Sequence, residues 1–221
     1  MVQKVGVIHT SLVLYDRINS MFQELMPDVK VMNLIEDTLL KDVIANGGLT
    51  PAITRRICNY VLQAELAGAD AVLNACSSVA EAIDVARGLT SMPCLKIDEP
   101  MAEEAVMLGK SIAVFGTVGT TLAPSSRLIE ATAVKKGKAV SVNQYLVEGA
   151  FQVLIEEKNI EKHNQMVLEL INKVEKQHDV IVLAQASMSV LIPQLQDLGK
   201  PVLYSLRSGI SRVKDVLEHI K

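Results

Sequence analysis

Ala71-Val72-Leu73-Asn74-Ala75-Cys76-Ser77-Ser78 runs from three apolar residues through a polar turn carrying a cysteine into a helical pattern. A short apolar run bounded by turn residues reads as a strand buried on both faces. The same arrangement returns later as Val180-Ile181-Val182-Leu183-Ala184-Gln185-Ala186-Ser187-Met188, with alanine at the position of the cysteine. Further pairs keep nearly the same spacing: Val5 with Ile112, Lys30 with Val140, Val72 with Val182 and Pro93 with Pro201. Thr10 then falls on Thr117, Asn33 on Asn143 and Ser77 on Ser187. The chain reads as a duplicated β/α unit of about 108 residues, each copy holding four short strands.

Outward from that stretch, strands are expected at 5–9, 29–32, 71–73 and 93–97, and again at 112–115, 139–142, 180–183 and 202–203. Helical periodicity fills the intervals, including 12–25, 38–45, a helix opened by Thr50-Pro51, and 160–177 with its charged face. A helix broken near Pro193 is expected over 189–198, and a closing helix over 208–220. Ser78 and Glu81 have capping-box spacing. Strands alternating with helices imply parallel sheets covered on both faces. The expected fold is therefore α/β, with two pseudosymmetric parallel-sheet lobes and the active site in the cleft between them. The first lobe covers 1–98, with the helix 206–221 packing back on it; the second covers 99–205.

At 221 residues and 49% hydrophobic, the chain is long enough to bury a sizeable core. A net charge of -3 and 3% aromatic residues supply neither the field nor the stacking groups that nucleic acid needs. No apolar run reaches the roughly 18 to 20 residues of a membrane span, and the amino terminus lacks a signal-peptide profile. Three cysteines, an odd number, suit reduced thiols and a cytoplasmic setting. No cluster has metal-ligand spacing and no Gly-x-Gly-x-x-Gly follows a strand, so no cofactor or metal is expected. A homo-oligomer is expected on general grounds.

Ligands of open parallel sheets bind outside the carboxyl ends of the strands, where loops and helix amino termini converge. Cys76 stands at such an end under a helix start, a position that favours thiolate. Cys58 and Cys94 lie within core patterns. Thr10, Ser11, Asn74, Ser77, Ser78, Thr117, Thr120, Gln185 and Ser187 all fall at strand-to-helix turns. Each serine or threonine alone is explained as a helix cap; converging from two repeats, these groups suggest an anion pocket for a small carboxylic acid or amino acid. His9 closes the first strand, either to activate the thiol or as a structural hydrogen-bonder, while His163, His178 and His219 fall on charged stretches read as surface. Asp98-Glu99, at the fourth strand's end, either points into the cleft or caps the helix at Pro100, and capping is the preferred reading.

The duplicated halves, Asn74-Ala75-Cys76-Ser77-Ser78, the Thr117-x-x-Thr120 turn and Ala184-Gln185-Ala186-Ser187-Met188 resemble the aspartate/glutamate/hydantoin racemase superfamily. That resemblance implies a cofactor-independent isomerase in which two cysteines work on opposite faces of a stereocentre. Cys76 matches the first; Ala186 stands where the second belongs. The chain is thus similar to a variant lacking the second catalytic cysteine. The expected chemistry is thiol-based proton transfer next to a carboxylate, with Tyr145 or a water held by Gln185 and Ser187 as second acid. The alternatives are a one-thiol decarboxylase or cis-trans isomerase of a small dicarboxylic acid, and a non-catalytic carboxylate-binding protein.

Overall fold

The computed structural model describes residues 2–220. Its contacts divide the chain into two compact units, Met1–Glu99 with Leu206–Lys221, and Pro100–Ser205.

The first unit runs β1 (Lys4–His9), α1 (Tyr15–Leu25), β2 (Lys30–Ile35), α2 (Leu39–Ala45), α3 (Pro51–Leu66), β3 (Ala71–Asn74), a 3₁₀ turn at Ser77–Val79, α4 (Glu81–Ala86) and β4 (Cys94–Lys96). All pairings are parallel, in the order β2-β1-β3-β4. β1 is buried over its last five residues and β3 over all four, as befits inner strands covered on both faces, whereas the edge strand β2 is only half-buried. Ile8 and Val72 pack with Leu39, Val43, Ile53, Ile57, Val61 and Ile83 in one fully apolar cluster. Burial of each such side chain contributes about 1.5–3 kcal/mol. α3 begins as its sequence predicts: the Thr50 hydroxyl accepts from the Ile53 N–H at 3.3 Å, with Pro51 in the first turn. The strand at 93–97 is held from outside by Arg87, which donates to the Cys94 carbonyl at 2.9 Å, and by buried Lys96, paired with Asp84 at 2.6 Å.

The second unit runs α5 (Glu99–Leu108), β5 (Ser111–Gly116), α6 (Gly119–Lys135), β6 (Ser141–Leu146), α7 (Ala150–Ile155), α8 (Ile160–Val174), β7 (Val180–Leu183) and β8 (Val202–Tyr204). Its parallel order, β6-β5-β7-β8, repeats that of the first sheet. Alternation along the strands sorts its core into two faces. Ile112, Val114, Val180 and Val182 pack on one; Ala113, Phe115, Ile181 and Leu183 pack on the other. The closing helix α9 (Ser205–His219) is tied to the first unit, where Gln3 Nε2 donates to the Leu217 carbonyl at 2.8 Å and Arg207 pairs with Glu24 at 2.8 Å.

Two expectations change. The helix expected over 189–198 is 3₁₀ turn at Ala186–Gln194 and Gln196–Leu198. Pro193 lacks the N–H an α-helix needs, and Ser189 Oγ turns back to the Ala186 carbonyl at 2.6 Å. His163 and His178 are buried, not on the surface. His178 takes both its partners inside the unit, Ser111 Oγ at 2.9 Å and the Tyr145 hydroxyl at 2.7 Å.

Candidate active site

In each sheet the strand order reverses direction between the first and third strands of the unit, the switch point where α/β sheets open a crevice at the carboxyl ends. β1 and β3 are adjacent there: Ile8 faces Asn74, and the Ala75 N–H donates to the Ile8 carbonyl at 3.0 Å. Thr10 and Cys76, 66 positions apart in sequence, therefore emerge side by side.

Cys76 is half-buried, unlike Cys58 and Cys94, which lie in the core. Its sulfur is met by the Thr10 hydroxyl, the N–H groups of Ser78 and Val79, and the Ser78 hydroxyl. Desolvation outweighs these donors and pushes the thiol above the ordinary cysteine value. That is opposite to the direction that a helix start alone predicts. The loop brings two N–H groups to the sulfur through its single 3₁₀ turn, and α4 itself starts later, at Glu81. Burial also pushes up the two core thiols, Cys94 to about 11, without such a ring of donors.

Asn74 is fully buried, and its Nδ2 donates to the Cys76 carbonyl at 2.8 Å. Nδ2 braces the loop from inside, while Oδ1 is buried with no partner among the described residues. Ser77 is turned toward Asp98, to which its side chain is hydrogen-bonded. Thr10 and Ser78 are the two hydroxyls brought to the sulfur; Ser11 stands next to Thr10, half-buried. His9 does not pair with the thiol. Its Nε2 meets Asn33 Oδ1 at 2.8 Å, and Asn33 Nδ2 continues to Asn19 Oδ1 at 3.0 Å. Burial pushes the imidazole below its usual value, so at neutral pH it is uncharged.

Asp98 is the residue the sequence reading undervalued. It is 1% exposed, it follows β4 at the same carboxyl edge as Cys76, and its Oδ1 has no partner among the described residues. The signal was available: in an all-parallel sheet, the residue just past a strand lies at the ligand end whether or not it also starts a helix. Desolvation pushes this carboxyl above its ordinary range, against the pull of Ser77, its own backbone N–H and Lys96. A carboxyl raised in the folded state opposes folding wherever the unfolded chain is already ionised. Its contribution to stability is therefore lost as pH rises from the unfolded value through the folded one, and the penalty vanishes below both. Asp98→Asn should melt above the parent protein by a margin that grows between about pH 4 and neutrality. A margin that stays constant with pH in thermal melts would show that Asp98 is ionised in the native state.

The second unit repeats the geometry with different chemistry. Phe115 faces Leu183, the Ala184 N–H donates to the Phe115 carbonyl at 2.9 Å, and Thr117 and Gln185 emerge together. Gln185 Oε1 accepts from the Thr117 N–H, from Thr117 Oγ1 at 3.1 Å and from the Val118 N–H at 3.2 Å. Ala186, in the place equivalent to Cys76, is 7% exposed and supplies no acid or base. Ser187 is half-buried with no partner among the described residues, and Thr120 Oγ1 is a buried, unpartnered hydroxyl. Tyr145 is drawn away from this end: its ring stacks on Phe115 and its hydroxyl meets His178, which lies with Ser111 at the amino ends of β5 and β7.

Known proteins agree with this architecture. The Asp/Glu/hydantoin racemase family profile matches residues 5–213. No curated protein matches the chain in sequence. Among solved structures, allantoin racemase from Klebsiella pneumoniae is similar at a TM-score of 0.73 and 17% identity, covering 98% of this chain and 88% of the other. Glutamate racemase from Francisella tularensis subsp. tularensis SCHU S4, solved in complex with D-glutamate, is similar at 0.75 and 14%, covering 99% and 82%. An aspartate racemase homologue from Pyrococcus horikoshii OT3 is similar at 0.73 and 17%, covering 98% and 99%. At these identities the structural likeness speaks for the fold, and the profile match over nearly the whole length speaks for descent. The chain belongs to the Asp/Glu/hydantoin racemase family.

Proposed function

We propose that this protein is a cofactor-independent enzyme that uses the Cys76 thiol to move a proton at the carbon next to the carboxylate of a small acid or amino acid. The observation that carries this reading is the surroundings of one sulfur. Of three cysteines, only Cys76 stands at a strand's carboxyl end with two hydroxyls and two backbone N–H groups directed at it. Those donors favour the thiolate, and burial favours the thiol, so the resting group carries its proton at neutral pH and forms thiolate as pH rises. Thr10, Ser11, Asn74, Ser77 and Ser78 are the first unit's candidates for holding the carboxylate; Thr117, Thr120, Gln185 and Ser187 are the second's. The racemases it resembles, one of them solved with D-glutamate, support an amino acid or related acid as substrate.

A second reading is favoured by one specific observation. With Ala186 in place of a second thiol, one thiol suffices for decarboxylation, by protonating one face, or for cis-trans isomerisation of a dicarboxylic acid, by adding to the double bond and leaving after rotation, but not for inversion of a stereocentre by proton exchange. The test is α-proton exchange in deuterated water for L- and D-amino acids and small dicarboxylic acids, with carbon dioxide release followed for malonate-like acids. Exchange with retention, or carbon dioxide release, indicates one-face chemistry; racemisation requires a second acid. Complete inertness across the panel, with no acid protecting Cys76 from alkylation, removes the reading.

The thiol's direction of shift gives an independent check. Iodoacetamide should label Cys76 with a rate that rises through an inflection above the ordinary cysteine value, because burial outweighs the donors. An inflection below that value would mean that the donor ring wins.

A further inference from the structure

The amide of Gln185 has only one orientation that its surroundings permit. Three donors converge on a single atom of it: the Thr117 N–H, the Thr117 hydroxyl and the Val118 N–H. Two of these are backbone N–H groups that cannot turn round, so the atom they meet is the oxygen. The NH₂ end must then point away from them. Nε2 has no hydrogen-bond partner among the described residues, and it is absent from the buried atoms that lack one, so it reaches solvent. In the first unit the equivalent position is Ala75, too short to reach Thr10, and there the hydroxyl faces the Cys76 sulfur instead.

We infer that Gln185 is a specificity-determining residue that fills the anion nest at the start of α6 with its own oxygen and presents its NH₂ group to a carbonyl or carboxylate oxygen of the bound acid. This deepens the proposed function and rests on its reading of the ligand as a small carboxylic acid. It has two chemical consequences, the first of which narrows the proposed contacts. Thr117 and Val118 give their donors to Gln185, so the acid's carboxylate is read here by the amide, and Thr117 acts through Gln185 instead of touching the acid. An amide donates hydrogen bonds without giving up a proton, so the second unit binds at this point and does not act as an acid.

Gln185→Glu isolates the inference. One carboxylate oxygen takes the same three donors, keeping the plug, while the other replaces the NH₂ donor with a charged acceptor. In the full-length protein, the Gln185 side-chain amide resonances, assigned by their loss in Gln185→Glu, should shift saturably during titration with L-glutamate, D-glutamate, L-aspartate or malonate. Affinity for the acid that binds should fall about 10- to 100-fold in Gln185→Glu, with the melting temperature kept. Resonances unmoved by every acid, or unchanged affinity in the variant, would overturn the inference. Protection of Cys76 from alkylation by the same acids reports separately on the proposed function. Shifted amide resonances without protection leave Gln185 in its role and remove the thiol; protection without shifts does the reverse.

Discussion

Cys76→Ala and Cys76→Ser should each cut turnover by about 10²–10⁴-fold in a protein that remains folded. A positioned acid or base contributes typically about 10²–10⁴-fold, and neither replacement can exchange a proton near neutral pH. Serine is the sharper probe. Its hydroxyl keeps the hydrogen bonds with Thr10 and Ser78, so what is lost is the titratable sulfur and little else. Stability should hardly change, because Cys76 is half-buried at the margin of the apolar cluster; a shift within about 1 kcal/mol is expected. Cys94→Ser is the control with the opposite signature. That residue is 4% exposed inside the core, so stability falls while the chemistry survives in the folded fraction. α-Proton exchange reads the first effect, and near-ultraviolet dichroism with thermal melts reads the second. Undiminished exchange in either Cys76 variant would sink the thiol mechanism.

Some features were legible in the sequence because they rest on local rules. β3 and β7 are buried on both faces and so appear as uninterrupted apolar runs, which is why the two halves could be aligned on them. The Thr50-Pro51 entry of α3 and the carboxyl-end placement of Thr10 and Cys76 follow from capping and parallel topology in the same way. What the sequence could not show depends on competition between distant groups. A helix start predicts a lowered thiol, yet desolvation by surrounding elements decides the direction at Cys76. Charge alternation placed His178 outside, but Tyr145 and Ser111, 33 and 67 positions away, draw it in. Gln185 reads in the sequence as a ligand contact; its oxygen is taken by residues 67 and 68 positions upstream. Asp98 looked like a cap because its other partner, Ser77, is on a different loop.

Gly209→Ala should destabilise the protein by about 3 kcal/mol, although the position is helical and carries no left-handed backbone that demands glycine. In an open helix the change would instead add about 1 kcal/mol of stability, because alanine is the better helix former. Sterics reverse the sign. A Cβ on Gly209 would collide with the Ile97 carbonyl oxygen, and would lie 2.6 Å from Ile97 Cγ1 and 2.9 Å from the Ile97 carbonyl carbon. Two of those atoms are backbone, so they cannot swing aside, and α9 or the end of the fourth strand has to move; overpacking of that kind typically costs about 1–3 kcal/mol, occasionally more. The displacement reaches the candidate site by a short route. The Ile97 N–H donates to the Asn74 carbonyl at 3.1 Å, Asn74 holds the Cys76 carbonyl, and the next residue, Asp98, bonds Ser77. Gly209→Ala should therefore lower the melting temperature by about 6–12 °C and also move the inflection of Cys76 alkylation toward the ordinary cysteine value, since a loosened loop desolvates the sulfur less. A higher melting temperature would mean that α9 stands far enough from Ile97 to accept a methyl group. A lower one with an unmoved alkylation profile would mean that the strain is absorbed by the helix before it reaches Asn74.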